Sequence, residues 1–288
     1  MRGKNDCIEF VNKNYKDSIE LLEEIANYGD ELIAKVSKTT DNVELELVIL
    51  HVFLRNMVIQ SAAVCELCRA GLVESSKANF RVSLESWFQL EWILSCDTDN
   101  RVTYFFVYSI LKKIEDLKLQ IGLDVDGVKV NIYRDLGIEN GKDALNKELS
   151  SFEKMISEGK RRDVASEFKS KTYKKWFQAL GVGSLRDIAE QINAKYDYFH
   201  AYSYLSKSIH TSILDPFCVI SAGKAKILPQ WHALNIDDVL GSCCMLLVRA
   251  YHSVLSTCFE SELSAFASKH KNDWYDRILN IPELKHIG

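Results

Sequence analysis

Apolar residues recur every three to four positions along most of this chain, which is the spacing of amphipathic helices. The pattern predicts helices over residues 18–37, 43–70, 77–95, 101–121, 142–158, 185–212, 236–268 and 273–279. We find no stretch with the strict alternation of a half-buried strand. We therefore expect an all-α fold, built as an antiparallel bundle of long helices.

One part of the chain departs from this pattern. Residues 122–141 are polar and carry four glycines, and residues 159–175 are rich in lysine and arginine. A charge run of this kind predicts a solvated loop, although it is also a local basic patch. We expect residues 1–288 to form a single all-α domain in which residues 122–175 are a polar insert of helix and loop.

The helix predicted over residues 77–95 is apolar on nearly every side, and yet Arg81, Glu85 and Gln89 form one polar row along it. A helix that is hydrophobic all round is a buried helix. We therefore expect this helix to run through the middle of the bundle with an ionic row inside. The apolar residues that surround its axis are Phe80, Val82, Leu84, Trp87, Phe88, Leu90, Trp92, Ile93 and Leu94.

Arg81 and Glu85 stand four residues apart and so share one face of the helix. Burying a charge is costly unless the charge is paired and hydrogen-bonded. One interpretation is a buried ion pair that fixes how the helices pack. The other is that Arg81 presents its guanidinium to a phosphate or carboxylate in a pocket.

A second set of candidate residues lies on the helix predicted over residues 185–212. Tyr202 belongs to its core stripe, while Ser206 and His210 lie along the edge of that stripe. His210 is either a general acid or base near neutral pH or a histidine that hydrogen-bonds within the packing. Ser206 is a poor candidate nucleophile because it sits mid-helix. His200 falls on the opposite face and is expected to face solvent.

Eight cysteines without a secretory signal indicate reduced thiols. Cys65 and Cys68 form a CxxC inside a predicted helix, without a second CxxC, and Cys243 and Cys244 point in different directions. A zinc site needs four convergent ligands. We therefore expect core cysteines, no metal and no cofactor. Two helical His/Arg pairs, His51 with Arg55 and Arg249 with His252, are interpreted as coincidences.

The charge balance limits the function classes. The formal net charge is -4 and the pI is about 6.0, which excludes a strongly basic nucleic-acid binder. The first residues, MRGKNDCIEF, lack the apolar segment of a signal peptide. The stretch Val48–Ala63 is interrupted by polar residues, and we expect no membrane span. These features favour a cytoplasmic location.

Several of these motifs together resemble a bacterial helical family, domain of unknown function 5677. The resemblance covers about residues 45–215 and implies that Arg81, Glu85 and His210 belong together, but it implies no chemistry because the family has no established activity. A looser, fold-level similarity connects the chain to HEPN-type helical ribonucleases. The segments that carry the family resemblance are Arg69–Leu72, Arg81–Glu85, Asp97–Arg101 and Tyr202-x-x-x-Ser206-x-x-x-His210.

These observations leave three functional hypotheses. The first is an interaction or sensor module, with a protein partner or a second copy of itself, in which the Arg/Glu/His cluster sets the packing. The alternative is a metal-independent, HEPN-like ribonuclease of a bacterial defence or toxin system. In that case His210 would be the acid and base, Arg81 would hold the phosphate and Glu85 would orient Arg81. The third is a small-molecule pocket lined by Trp87, Trp92 and Tyr202.

Overall fold

The computed structural model describes residues 3–38, 45–122, 142–209, 218–221, 224–227 and 229–284. Most of the described chain is helical, which confirms the expected all-α class. The α-helices are α1 (Lys4–Asn14), α2 (Lys16–Lys38), α3 (Leu45–Arg69), α4 (Val73–Ser95), α5 (Thr98–Gln120), α6 (Lys142–Met155), α7 (Gly159–Ser170), α8 (Leu185–Gln191), α9 (Ser203–Ile209), α10 (Ile236–Cys258), α11 (Glu260–Lys269) and α12 (Tyr275–Leu279).

Short elements join these helices. A 3-10 turn spans Trp176–Leu180, and π-helical turns span Asp197–Tyr202 and His270–Trp274. Strands β1 (Cys218–Ser221) and β2 (Lys224–Ile227) pair in antiparallel fashion. The hairpin departs from our expectation that no strand forms, because strands of four residues are too short for alternation to be recognised in the sequence.

The described chain divides into two compact units. The first combines Met1–Cys96 with Leu185–Gly288, and the second is Asp97–Ser184. The predicted insert, residues 122–175, falls within the second unit, which also contains α5. Residues 123–141 of that insert lie outside the described residues.

Helix α4 is the central helix of the first unit and packs against α3, α9 and α10. Its Trp92 is 2 % exposed, and the indole Nε1 donates a hydrogen bond to Gln191 Oε1 at 2.7 Å, so the buried polar atom is satisfied. Val82 and Leu94 are half-buried. The prediction of a buried central helix is confirmed. Its fully buried apolar residues include Phe80, Leu84, Trp87, Phe88, Leu90, Trp92 and Ile93.

In the second unit, α5 packs against α6 and α7. Helix α7 occupies most of residues 159–175, so the prediction of a solvated loop there is wrong. Val164 is buried in the core of this unit, and Tyr104 Oη donates a hydrogen bond to Glu167 Oε2 at 2.7 Å. These few inward-facing residues are enough to fold the segment onto α5, while its lysines and arginines remain on the exposed face.

Two predicted long helices are interrupted. The helix expected over residues 185–212 ends early because Asn193 adopts a left-handed conformation, with φ of 57°, which asparagine tolerates better than most residues. The helix expected over residues 236–268 breaks at Phe259, whose φ of -142° and ψ of 52° lie outside the helical region. The first interruption separates a helix of residues 197–209, made of the π turn and α9. We call it the wall helix.

Helices α3 and α10 are long and apolar enough to cross a bilayer, by length and composition alone. Of their most apolar windows, 44% and 61% respectively are buried inside the fold. The core helix of a soluble protein has the same composition, so this feature is weak evidence for a membrane span. The expectation that residues 48–63 do not span a membrane stays a prediction.

Gly29 of α2 marks a close approach between helices. A Cβ at this position would lie against the Tyr251 hydroxyl and 2.6 Å from Val58 Cγ2. Tyr251 is fully buried and donates a hydrogen bond to the carbonyl of Ile25 at 3.0 Å, so it has little freedom to move. We expect Gly29→Ala to lower the free energy of unfolding by about 1–3 kcal/mol in urea titrations. The control Gly241→Ala has its nearest neighbour at 3.7 Å and should not destabilise.

Candidate functional site

The predicted polar row forms a cluster between α4 and the wall helix. Arg81 Nη2 donates a hydrogen bond to Tyr202 Oη at 3.1 Å, and Tyr202 Oη donates to Glu85 Oε2 at 3.3 Å. Arg81 and Glu85 also form an ion pair of 3.8 Å, with side chains that are 22% and 29% exposed. The charged pair is therefore half-buried, and Tyr202 bridges its two members.

Of the remaining predicted site residues, Ser206 is half-buried on α9, and His210 lies outside the described residues. The structure thus brings Arg81, Glu85 and Tyr202 together, while the catalytic roles assigned to these residues stay predictions. Burial and the neighbouring Glu85 raise the pKa of Tyr202, so its hydroxyl remains protonated and able to donate.

This cluster fastens the wall helix to α4. The Arg81 guanidinium lies 5.0 Å from the centroid of the Tyr202 ring, which adds a cation–π contact to the hydrogen bond. Phe88 meets Tyr202 edge-on at 6.1 Å, and Tyr198 stacks on Tyr202 at 5.4 Å. Polar and aromatic contacts thus converge on Tyr202, and they hold the face of the wall helix that packs against α4.

The other side of the wall helix faces a cavity of about 740 Å³, which α4 and the N-terminal half of α10 complete. Tyr196 stands at this cavity with 72% of its surface exposed and stacks on His200 at 4.2 Å. The prediction that His200 faces solvent agrees with its exposure, but no sequence pattern indicated that it lines a cavity. Other lining residues are Lys77, Phe80, Leu84, Tyr204, Asp237, Asp238, Ser242 and Met245.

Lys77 is a cavity residue that the sequence analysis missed. Its side chain is only 3% exposed and forms an ion pair with Glu74, which is 22% exposed. A signal was present in the sequence, because Lys77 falls three residues before Phe80 and seven before Leu84, on the apolar stripe of α4. A lysine on an apolar stripe is expected either to be buried in an ion pair with an acidic residue or to belong to a binding site.

His232 lies close to this lysine. It is 7% exposed, and its Nδ1 accepts a hydrogen bond from the backbone N–H of Leu234 at 3.2 Å. Burial lowers the pKa of His232, an effect that Lys77 reinforces and Glu74 opposes. The imidazole is therefore kept neutral in the folded protein.

The lowered pKa of His232 makes stability depend on pH. Below about pH 6.5 the unfolded chain binds a proton at this histidine, whereas the folded chain does not yet bind one. The free energy of unfolding therefore has its full value above that pH and decreases below it. The loss approaches about 1.4 kcal/mol per pH unit for one proton until the folded pKa is reached. Urea titrations from pH 7.5 to 5 should show a shallower decline in His232→Asn. Identical slopes would contradict the assignment.

Arg249 of α10 stands at one end of the cavity. Its Nη1 donates to Asp197 Oδ1 of the wall helix at 2.9 Å, and its guanidinium lies 4.1 Å from the centroid of a Trp87 ring. The interpretation of Arg249 with His252 as a coincidence therefore missed Arg249, which is a second attachment of the wall helix.

The helical cysteines lie in the core, as expected. Cys65, Cys68, Cys243 and Cys244 are buried, and burial raises the pKa of Cys68 to about 11 and that of Cys244 to about 12. These thiols stay protonated and unreactive at neutral pH. Within the described ranges, no group of three or more His, Cys, Asp or Glu side chains is placed to hold a metal ion.

Comparison with known families gives one result. A family of unknown function, DUF5677, matches residues 47–222, which is close to the range of the resemblance seen in the sequence. No curated protein and no solved structure matches the chain. The HEPN-type similarity receives no support from these comparisons.

Proposed function

This chain belongs to the DUF5677 family, whose function is unknown, and we propose that it is a sensor module that binds a small molecule in the cavity beside Lys77. The observation that carries the proposal is the cavity itself, with a volume of about 740 Å³. Small-molecule sites are typically clefts of roughly 300–1,000 Å³ with mainly apolar walls and a few polar groups.

The lining has this mixed character. Phe80, Leu84 and Met245 supply apolar surface, and the stacked rings of Tyr196 and His200 offer an exposed flat face. The third hypothesis, a small-molecule pocket, is thereby retained with a different lining. Trp87, Trp92 and Tyr202, which were expected to line it, are not among the lining residues of this cavity.

The wall helix is the element through which binding would be transmitted. It is preceded by the break at Asn193 and begins with a π-helical turn, a feature that is frequent at functional sites. Two attachments hold it, Arg81 with Tyr202 on one side and Arg249 with Asp197 at the cavity end. A ligand that contacts Tyr196 or His200 would bias the position of this helix.

The ribonuclease alternative has less support. It requires His210, which lies outside the described residues, and a free guanidinium at Arg81. Nη2 of the guanidinium is instead engaged by Tyr202 and Glu85, and Nε, which has no hydrogen-bond partner among the described residues, is buried, so a phosphate would have to displace existing contacts. The predicted cytoplasmic location, self-association, protein partner and RNA contact likewise stay predictions.

A thermal-shift screen tests the proposed function. The full chain is melted with a collection of metabolites, alongside Ser242→Trp, which fills the cavity from an exposed position on α10. The control is Ser256→Trp, which is exposed on the same helix and does not line this cavity. A ligand at one hundred times its Kd should raise the melting temperature by roughly 5 °C in wild type and control only. No hit, or equal shifts in Ser242→Trp, would refute the proposal.

A further inference from the structure

A second cavity, of about 380 Å³, lies beside Arg249 in the first unit. It shares only Met245 and Arg249 with the larger cavity among the residues that line each of them. Most of its wall is apolar, while one part carries ionisable and hydroxyl groups. The apolar residues are Trp87, Ile192, Met245, Val248, Phe266 and Ala267, and the polar ones are Glu91, Arg249, His252, Ser253 and His270.

Glu91 is the distinctive group of this cavity. Trp87 Nε1 donates a hydrogen bond to its Oε1 at 2.9 Å, and Ser253 Oγ donates to its Oε2 at 3.0 Å. Both donors are neutral, and within the described part of the chain Glu91 makes no ion pair. A half-buried carboxylate without a counter-ion is unfavourable, and burial accordingly raises the pKa of Glu91.

Arg249, the arginine that lines this cavity, already has another ion-pair partner. Arg249 forms its ion pair with Asp197 at 2.9 Å and rests on the Trp87 ring at 4.1 Å. Arg249 and His252, which also lines the cavity, attract the charge of Glu91 and oppose the rise of its pKa, but neither forms an ion pair with it among the described residues. The negative charge of Glu91 thus lacks an ion-pair partner. A ligand that enters the cavity with a positive charge would balance it.

His270 narrows the class of ligand further. Its Nε2 is buried without a hydrogen-bond partner among the described residues, and burial followed by the nearby His252 lowers the pKa of this imidazole. A neutral imidazole accepts a hydrogen bond through one of its nitrogens. The polar part of the cavity thus offers the Glu91 carboxylate beside a neutral imidazole, which suits a ligand with N–H donors.

We infer that this second cavity binds an organic cation, namely a primary amine on an apolar body, with Glu91 as its counter-ion. The ammonium group has three donors, which can address the remaining lone pairs of Glu91 and a neighbouring acceptor. The apolar body packs against Val248, Phe266 and Met245. An anion of the same shape would be repelled by Glu91. This inference concerns a different cavity from the proposed sensor function, and each of the two proposals can be tested without the other.

Isothermal titration with matched probes tests the inference. The probes are 2-phenylethylamine, the neutral 2-phenylethanol and the anion phenylacetate, titrated into the full chain at low salt. We expect the amine to bind about tenfold or more tightly than the alcohol, since a hydrogen bond to a charged group is worth more than a neutral one, and phenylacetate not to bind. Glu91→Gln should remove this preference, whereas the exposed control Glu260→Gln should keep it.

A folding check and a second variant guard against a Glu91 variant that fails to fold. Glu91→Gln retains polar atoms at the positions that Trp87 and Ser253 contact, and circular dichroism reports whether it folds. If it does not, Ala267→Phe, which obstructs the cavity from an exposed position, should abolish amine binding instead. Equal binding of amine and alcohol, amine binding that survives these variants, or no amine binding by the wild type would each overturn the inference.

Discussion

Replacing Glu74 by alanine should lower the free energy of unfolding by about 3 kcal/mol or more, because it leaves the ammonium group of Lys77 buried without its partner. Lys77 is 3% exposed and Glu74 is its ion-pair partner one turn away. The ammonium group then keeps only the longer-range attraction of Asp238, and it must either carry its charge in a desolvated position or release its proton. Urea unfolding at pH 7, followed by circular dichroism, gives the loss directly.

The reverse substitution provides the control. Lys77→Met keeps an apolar chain of similar length on the stripe of α4 and leaves Glu74, which is 22% exposed and can be hydrated by solvent. It should therefore cost less than Glu74→Ala, although both remove the same ion pair. An equal or larger loss in Lys77→Met would contradict the account, because the burial of the lysine would then not determine the cost.

Replacing Phe88 by alanine should lower the free energy of unfolding by about 3–5 kcal/mol. Phe88 is fully buried in α4, and its ring contacts those of Trp87, Tyr198 and Tyr202. The substitution opens a hole behind the aromatic residues that hold the wall helix. We therefore also expect faster hydrogen exchange in the amides of residues 197–205.

Phe199→Ala is the matched comparison, because Phe199 is on the same wall helix but is 45% exposed. Its ring contacts the side chains of Arg186 and Tyr198, and the expected loss is below about 1 kcal/mol. If the two alanine variants were equally stable, the contact of Phe88 with the wall helix would not be what holds that helix in place.

The central helix illustrates what the sequence could predict. The apolar residues of α4 surround its axis, and this pattern alone predicted a buried helix with a polar row, for which internal pairing was one of two interpretations. Tyr202 was named among the candidate residues, but its contact with Arg81 and Glu85 was not predicted, because the residue expected beside them was His210. Helical periodicity and i,i+4 spacing depend only on residues that are close in sequence, so they can be recognised without knowing the tertiary structure.

Other features depend on residues that are distant in sequence. The larger cavity is formed by residues near Lys77 on α4, near His200 on the wall helix and near Ser242 on α10, and no local pattern brings these together. The break at Asn193 is a single backbone conformation that helical spacing does not reveal. Helix α7 was missed because its many charges outweighed the few apolar residues that bury it.

The most direct test of the account is a calorimetric titration of the ligand found in the thermal-shift screen into wild type and Ser242→Trp. The account predicts one ligand per chain in the wild type and no measurable heat of binding in the tryptophan variant, because the indole occupies the cavity beside Lys77. Equal affinity and stoichiometry in the two proteins would contradict it, since the ligand would then bind elsewhere.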